Sequence, residues 1–261
     1  MKQSARGPGR AVRWLRHGLV LLAATLVLQP AFAGDDTSRA AAAVKMTGEA
    51  AAKDAAGTPT KDPVAASHAR HASFGKEQAS AQAIHVADWV VDSANNQGMP
   101  FMIVDKVRAR VLMFDASGNL QGAASALLGL ARGDDSTPGI GDRKLSTIRP
   151  EERTTPAGRF VASLARDLHG EEILWIDYKT AISLHRVVKG TPGERRAQRL
   201  SSAAADDKRI SYGCINVPPA FYNKVVSPAF TGTNGIVYIL PETRSAREVF
   251  GSYEVPAAKG G

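Results

Sequence analysis

Between residues 99 and 240 the chain is a succession of short β-type runs separated by turn signals, and this pattern limits the fold more than any other feature. The runs are rich in β-branched and aromatic residues, and they occupy residues 101–104, 111–114, 158–162, 173–176, 181–188 and 235–240. A further run, 123–130, suits either a strand or a helix. Many short strands with few long helices predict a mainly β domain, either a sandwich or an open barrel. We place this domain at residues 99–250.

The first 33 residues have the features of a secretory signal peptide. Five basic residues and no acidic residue precede an apolar run over residues 18–28, and the Ala-Phe-Ala of residues 31–33 follows as a cleavage site. This apolar run is too short to span a bilayer, which takes about 20 residues. We therefore expect export to the periplasm or cell envelope, and no stable membrane span after cleavage.

The predicted export changes what the charge of the chain implies. The whole sequence carries a formal net charge of +8, but the chain without residues 1–33 has 28 Lys and Arg against 25 Asp and Glu. This balance is ordinary for a soluble domain, so nucleic acid is not an expected partner.

The segments on either side of the domain differ from it in composition. Residues 34–80 are rich in Ala, Lys, Asp, Thr and Ser, and such a segment cannot bury enough apolar surface to offset the entropy lost on ordering. We interpret it as a flexible tether. Residues 81–98 are predicted to be a packing helix whose apolar face comprises Ile84, Ala87, Val91 and Ala94. Residues 251–261 are expected to be an unstructured tail.

The only cysteine of the chain, Cys214, lies in the run Ser-Tyr-Gly-Cys-Ile-Asn of residues 211–216. A lone cysteine cannot form an intramolecular disulfide. As a nucleophile it needs a neighbouring base, because a thiol with a pKa of about 8.5 is only a few per cent ionised at neutral pH. His185 is the candidate general base and acid. Taken singly, the cysteine is better explained as a small buried apolar residue and the histidine as a satisfied core residue. Taken together with the neighbouring glycine and serine and with residues 155–160, they favour a catalytic pair.

Other residues around the cysteine suit a site for acyl transfer. Gly213 allows the backbone to turn tightly beside the nucleophile. The backbone N–H groups of Tyr212, Gly213 and Cys214 are candidate donors to a developing oxyanion. Ser211 either orients His185 or braces the turn.

Three side chains are candidate substrate contacts, and each has an alternative role. Tyr212 either lines the acyl-donor site or packs at the rim of the domain. Arg186 either binds a substrate carboxylate through its two-pronged guanidinium group or points outward from a strand. Asn216 either contacts substrate or, as we prefer, holds its loop through bonds from its side chain to the backbone.

Residues 211–216 with an upstream histidine resemble the L,D-transpeptidase catalytic domain, also called the YkuD-like domain. In that family a histidine is followed by Ser-His-Gly-Cys, a hydrophobic residue, and Arg or Asn. The Thr-Pro-Ala-Gly-Arg-Phe of residues 155–160 is similar to the Thr-Pro-x-Gly-x-Phe segment common upstream of that histidine. The resemblance covers roughly residues 99–241. This chain departs from the pattern at Tyr212, where most members have histidine, and at Arg186, where glycine is frequent.

The resemblance implies a β-sandwich-like catalytic domain that acts on peptidoglycan stem peptides without a metal or an organic cofactor. Cys214 would form an acyl-enzyme with a tetrapeptide stem, and an amine of a neighbouring stem or of a protein would accept the acyl group. Acceptance by water would make the chain an L,D-carboxypeptidase. Two other hypotheses are a non-catalytic peptidoglycan-binding module on the same scaffold and a redox-sensing thiol protein.

Two polar segments of the domain have less specific interpretations. Residues 189–208 lengthen the interval between His185 and Cys214, and they form either a lid over a peptide substrate or a solvated surface loop. A second loop carries three aspartates whose spacing matches no calcium template, so we expect them to be solvated. They are Asp134, Asp135 and Asp142.

Overall fold

The structure is a computed structural model that describes residues 69–257. The predicted signal peptide, most of the predicted tether and the last four residues lie outside the described residues. Within the described range, no helix is both long and apolar enough to cross a membrane.

Ten strands form most of the regular structure in the described part of the chain. They are β1 (Phe101–Asp105), β2 (Arg110–Phe114), β3 (Leu120–Ser125), β4 (Leu128–Gly129), β5 (Gly158–Arg166), β6 (Glu172–Asp177), β7 (Ile182–Arg186), β8 (Arg209–Ser211), β9 (Ile215–Val217) and β10 (Gly235–Ile239). Eight of them make one sheet in the order β3-β2-β1-β10-β5-β6-β7-β9, and β4 pairs with β8. The mainly β class predicted from the sequence is confirmed.

The helical elements are short, apart from one that precedes the sheet. They are α1 (Ala81–Ser93), α2 (Arg196–Ser201), α3 (Pro219–Phe221), α4 (Ser227–Phe230) and α5 (Ala246–Phe250), with a π-helical turn (Tyr222–Val226) between α3 and α4.

The large sheet curves until its two ends approach each other, which suits the open-barrel form of the prediction. Just after β3, Leu127 exchanges two backbone hydrogen bonds with Asn216 of β9, at 2.8 and 2.9 Å. At the same end of the sheet, β7 and β9 pair in parallel, with His185 opposite Asn216. A parallel pair needs a crossover connection, and residues 187–214 supply it. This pairing brings the strand that carries the histidine beside the residue that follows the cysteine turn.

Apolar side chains cover both faces of the central strands. Along β1, Met102 and Val104 belong to one buried cluster, whereas Phe101 and Ile103 belong to the other, as the two-residue period of a strand requires. The first cluster includes residues of α3, α4 and the π-helical turn between them. The second is covered by α1 and α5. The core thus has two layers around one sheet.

The helix before the sheet exists, but its end and its buried face differ from the prediction. α1 begins after Ser80, whose hydroxyl accepts a hydrogen bond from the backbone of residue 83, and it ends at Ser93 instead of residue 98. Ala94 is in the left-handed conformation, which stops the helix. Ile84, predicted to be buried, is 41% exposed. The helix is turned so that its largest side chain, Trp89, packs edge-on against Tyr238.

Residues 69–80 and 251–257, assigned to the tether and the tail, lie against the domain. Ser73 exchanges backbone hydrogen bonds with the turn between β2 and β3. The Asp88 carboxylate of α1 contacts the backbone and a side chain of the first segment. The Tyr253 hydroxyl donates to another carboxylate of α1. In the structure the ordered part of the chain therefore extends beyond the boundaries expected for the tether and the tail. Composition gave no signal for this, because it does not reveal specific hydrogen bonds.

A buried ion pair connects the turn after β1 with two loops. Lys106 is 1% exposed, and its Nζ donates to Asp134 at 2.8 Å and to the Thr155 carbonyl at 3.1 Å. Asp134 also accepts from the backbone N–H groups of residues 242–244. Burial opposes ionisation of this carboxyl, but its many donors, Lys106 foremost, hold its pKa well below the usual range. The expectation that Asp134 is solvated was wrong, because these partners come from distant segments.

The Asp134→Asn variant should lower the free energy of unfolding by about 3 kcal/mol or more at neutral pH, because it leaves the Lys106 ammonium buried. In the natural chain the contribution of the ionised carboxylate is present above its unfolded pKa of about 4 and is lost as pH falls toward its lower folded pKa. Urea unfolding of both proteins at neutral pH and again at about pH 3 measures this loss of free energy of unfolding. Asp135→Asn is the control, since Asp135 is 82% exposed and should change stability little. Equal losses in the two variants would contradict the assigned role.

Candidate active site

Cys214 lies directly after a tight turn between β8 and β9. Gly213 has a φ of 130°, which side chains other than glycine rarely adopt. A Cβ at this position would meet the Thr154 carbonyl oxygen and the Ile182 side chain, each at 2.8 Å. Both the backbone conformation and the close approach of neighbouring atoms therefore require glycine beside the cysteine.

Ser211 braces this turn. Its hydroxyl donates to the Cys214 carbonyl oxygen at 2.6 Å and accepts from the Gly213 N–H at 3.1 Å. Because the single hydroxyl proton is directed to that carbonyl, Ser211 is placed as the turn brace, the second of its two expected roles, and not as an orienter of His185.

His185 is held in a defined orientation on β7. Its Nδ1 lies 2.8 Å from the Arg186 carbonyl oxygen, which can only accept, so Nδ1 carries the donated proton. In the neutral ring Nε2 is then the basic nitrogen. The amide nitrogen of Asn216 lies 3.4 Å from this Nε2. In the neutral ring, Nε2 is therefore the atom that can accept a proton.

Cys214 is half-buried, and its thiol donates toward the Ala181 carbonyl oxygen at 3.6 Å, while His185 lies on the strand that pairs with β9. Burial opposes ionisation of both groups. Against it, the hydrogen bond and the charge of His185 lower the pKa of Cys214 below the ordinary thiol value. The same interaction, with the Arg186 carbonyl, raises the pKa of His185. The Ser183 hydroxyl adds a hydrogen bond to the sulfur at 3.5 Å. Both directions move the pair toward a thiolate beside an imidazolium.

The sulfur lies at a cavity of about 120 Å³. Its walls combine Tyr212 and Ile182 with apolar residues of the loop that precedes β5, namely Ile140, Leu145 and Ile148. Among the lining residues, Arg143 is the cationic one. Cys214 is thus one of the lining residues of a small cavity whose walls are largely apolar.

Three 3₁₀ turns within residues 136–154 form the loop wall of this cavity, and ion pairs hold them together. Glu152 accepts from Arg143 and from Arg149, and these bonds lower its pKa to about 2. Arg153 lies over the Tyr212 ring, 4.0 Å from its centroid. The sequence offered one signal for this wall, the two arginines and two glutamates within residues 149–153.

Thr155 holds the cysteine turn through its side-chain hydroxyl. It is fully buried, and its hydroxyl donates to the Gly213 carbonyl at 2.7 Å while accepting from the Gly129 N–H at 2.9 Å. Its own carbonyl accepts from Lys106. The segment of residues 155–160 was noted in the sequence only as a resemblance; here its first residue links the buried ion pair to the turn that bears the nucleophile.

Arg186 is placed away from the cavity, so its expected role in substrate binding finds no support in its position. Its guanidinium group donates to the Glu172 carbonyl and to the Asn223 side chain, and it stacks over the Tyr222 ring at 4.1 Å. The part of Arg186 at the site is its backbone carbonyl, which holds His185. Alternation along β7 accounts for this, because adjacent side chains point to opposite faces.

Asn216 is buried, and its contacts are internal. Its amide nitrogen donates to the Cys214 carbonyl at 3.3 Å, the type of side chain-to-backbone bond we preferred over a substrate contact. Its amide oxygen accepts from Arg196 at 3.0 Å. Arg196 belongs to the segment 189–208, where α2 forms. Most of that segment is exposed and Arg196 pairs locally with Glu194, as expected for a surface loop, but Arg196 also anchors the segment to the buried Asn216.

Of the three backbone N–H groups expected to stabilise an oxyanion, one is already hydrogen-bonded. The Gly213 N–H is engaged by the Ser211 hydroxyl. This leaves the backbone N–H groups of Tyr212 and Cys214 as the two candidate donors. The Tyr212 side chain lines the cavity, in accordance with the first of its two expected positions.

No family model matches the chain, and no curated protein is similar to it. The structure is similar to solved structures of L,D-transpeptidases. An L,D-transpeptidase of Xylanimonas cellulosilytica is 15% identical over 54% of this chain and 60% of that one, with a TM-score of 0.36. The catalytic domain of the E. faecium L,D-transpeptidase is 16% identical over 54% of this chain and 96% of that one, with a TM-score of 0.32.

The helical cell shape determining protein Pgp2 of Campylobacter jejuni is also similar, with 14% identity over 56% of this chain and 48% of that one and a TM-score of 0.37. The chain thus spans less than two thirds of the length of the Xylanimonas and Campylobacter structures. Likeness at these TM-scores does not bear on activity.

Alkylation of Cys214 by iodoacetamide, followed over about pH 4 to 10, should show an apparent pKa below the ordinary thiol value of about 8.5. In His185→Gln the pKa should rise above that value, because burial then acts without the imidazole, and alkylation at neutral pH should slow about tenfold or more. Ser183→Ala should shift the pKa in the same direction by less. An unchanged profile in His185→Gln would rule out the pairing.

Thr155→Val should destabilise the fold by about 2 kcal/mol, because the Gly213 carbonyl and the Gly129 N–H both lose a buried partner. The adjacent Thr154→Val is the matched control. Thr154 is also buried, but its hydroxyl makes no hydrogen bond with any residue in the described range, so the change should cost about 0.5 kcal/mol or less. Chemical unfolding of both variants measures the difference, which should vanish if Thr155 does not support the turn.

Proposed function

We propose that this chain is an exported cysteine L,D-transpeptidase that acts on peptidoglycan stem peptides. One observation carries the proposal: parallel pairing places His185, whose Nδ1 is held by a carbonyl, beside the strand that follows Cys214, and the cysteine lines a cavity. Such a pair performs nucleophilic acyl transfer. The substrate class follows from the resemblance of residues 155–160 and 211–216 to the family motifs.

In the first half-reaction, the Cys214 thiolate attacks the carbonyl that precedes the terminal residue of a tetrapeptide stem. The backbone N–H groups of Tyr212 and Cys214 stabilise the oxyanion, and one such donor is worth about 10²–10³ in rate. His185, protonated at Nε2, then gives its proton to the leaving amine. The carbon–nitrogen bond breaks, and a thioester remains.

In the second half-reaction, an amine of another stem or of a protein enters the cavity left by the released residue. Its nitrogen attacks the thioester carbonyl while neutral Nε2 accepts its proton. The carbon–sulfur bond breaks, and the thiolate is restored beside an imidazolium. Water in place of the amine would give carboxypeptidase activity by the same steps.

The site has a charge pattern that suits a peptide with a free carboxylate. Arg143 lines the cavity, and its Nη1 pairs with Glu152 at 2.8 Å. A carboxylate of the acyl donor would have to compete with Glu152 for this guanidinium group, which we assign to substrate binding in place of Arg186. Export to the periplasm or cell envelope, through residues 1–33, is part of the proposal because the substrate lies outside the cytoplasm.

The purified chain without residues 1–33, incubated with tetrapeptide muropeptides, should release the terminal residue and form a crosslinked product detectable by mass spectrometry. A carbapenem should add its mass to Cys214, since the resemblance implies acylation by this class. Cys214→Ser should abolish both reactions, and His185→Gln should slow them by about 10²-fold or more.

The products discriminate among the remaining hypotheses. Release without crosslinking would favour the L,D-carboxypeptidase. Binding of muropeptides with neither release nor a carbapenem adduct would overturn the proposal in favour of a non-catalytic binding module. Peroxide reactivity without acylation would favour the redox-sensing thiol protein.

A further inference from the structure

A second cavity, of about 410 Å³, lies between the turn after β1, the end of β3 and the segment that leads into β8. It shares no lining residue with the cavity at Cys214. Its polar lining consists of Arg108, Arg110, Lys208 and two serines, and no carboxylate is among its lining residues. The acyl-transfer mechanism uses none of these groups.

Lys208 is the most unusual of these side chains. It is only 4% exposed, yet its ammonium group makes no hydrogen bond and no ion pair with any residue between 69 and 257. Burial, followed by the positive charge of Arg110, lowers its pKa, and Asp207 offsets this only in part. A buried cation normally has a partner, because its desolvation is costly.

The two arginines add donors to the same cavity. Arg110 pairs with Glu77 through one terminal nitrogen, but its Nε is buried and has no partner in the described part of the chain. Arg108 is exposed, and within the described range its guanidinium group makes no ion pair. The hydroxyl of Ser125 lies beside them on β3. Nitrogen and hydroxyl donors from three segments thus converge on one space.

Carboxylates outside the cavity neutralise only part of this charge. Glu77 is engaged by Arg110, and Asp207 accepts a hydrogen bond from Ser202 at 2.5 Å. The unmatched ammonium group and the Arg108 guanidinium group leave room for about two negative charges. A tetrahedral oxyanion with several acceptor oxygens meets such a set of donors better than a carboxylate does.

We propose that the cavity lined by Arg108, Arg110, Ser125 and Lys208 binds a phosphate group. The group is either that of a free phosphate or phosphomonoester or that of a phospholipid headgroup. Lys208 supplies its central ion pair, the Ser125 hydroxyl a hydrogen bond, and Arg108 closes the open side. Bound phosphate would give the Lys208 ammonium group the partner that the described residues lack.

Isothermal titration of the chain without residues 1–33 with inorganic phosphate tests the site, and sodium acetate serves as the carboxylate comparison. Lys208→Met keeps the length of the side chain and should weaken phosphate binding about tenfold or more. Arg108→Gln should weaken it severalfold, and because Arg108 is exposed this change does not threaten folding. The control Lys224→Met, an exposed lysine elsewhere, should bind as the natural chain does. Thermal unfolding confirms that each variant is folded.

Flotation with phosphatidylglycerol vesicles, against phosphatidylcholine vesicles of equal size, separates the two sources. Vesicle binding that is lost in Lys208→Met assigns a lipid headgroup, whereas phosphate binding without vesicle binding assigns a soluble phosphate. Both outcomes support the site. Absence of binding in both assays, equal affinity for acetate, or binding unaffected by Lys208→Met and Arg108→Gln would overturn it. These measurements do not involve Cys214, so they are independent of the proposed acyl transfer.

Discussion

The buried ammonium group of Lys106 is the constraint on which the arrangement of the loops depends. An isolated charge in the interior costs several kcal/mol, so the groups that surround it must remain in place for the fold to be stable. Its partners are the Asp134 carboxylate, the carbonyls of Gly133 and Thr155 and, at 3.7 Å, the buried Glu242 carboxylate. Asp134 in turn binds the backbone of residues 242–244, directly after β10. One charge therefore determines where three distant segments lie.

This constraint extends to the nucleophile through a short series of hydrogen bonds. Thr155, held by Lys106 at its carbonyl, donates from its hydroxyl to Gly213. The other half of the site comes from the sheet, where parallel pairing of β7 with β9 sets His185 beside the strand that follows Cys214. Cys214 and His185 are thus both held by packed structure instead of by a free loop.

Much of the fold was visible in the sequence, and the failures have a common cause. Strand positions were recovered wherever an apolar run stood between turn signals, as in β1, β2 and β10. The strands β8 and β9 were missed, since each is only three residues long and flanks a motif that looked like a loop. The buried roles of Asp134 and Arg196 were missed too. A charged residue in a polar segment has the same local signature whether water or a distant partner surrounds it.

The residues alone were enough to predict the mainly β class, a glycine suited to a tight turn at position 213, and Cys214 and His185 as the candidate pair, because propensity, backbone freedom and chemical type are local properties. The tertiary structure decided the contacts between these residues. It places the Arg186 carbonyl, and not its side chain, against His185, and it directs the Ser211 hydroxyl to the cysteine turn. It also pairs Arg196 with the Asn216 side chain. Burial and electrostatic pairing are properties of an environment, and that environment exists only once the sheet has curved and its loops have closed around the charges.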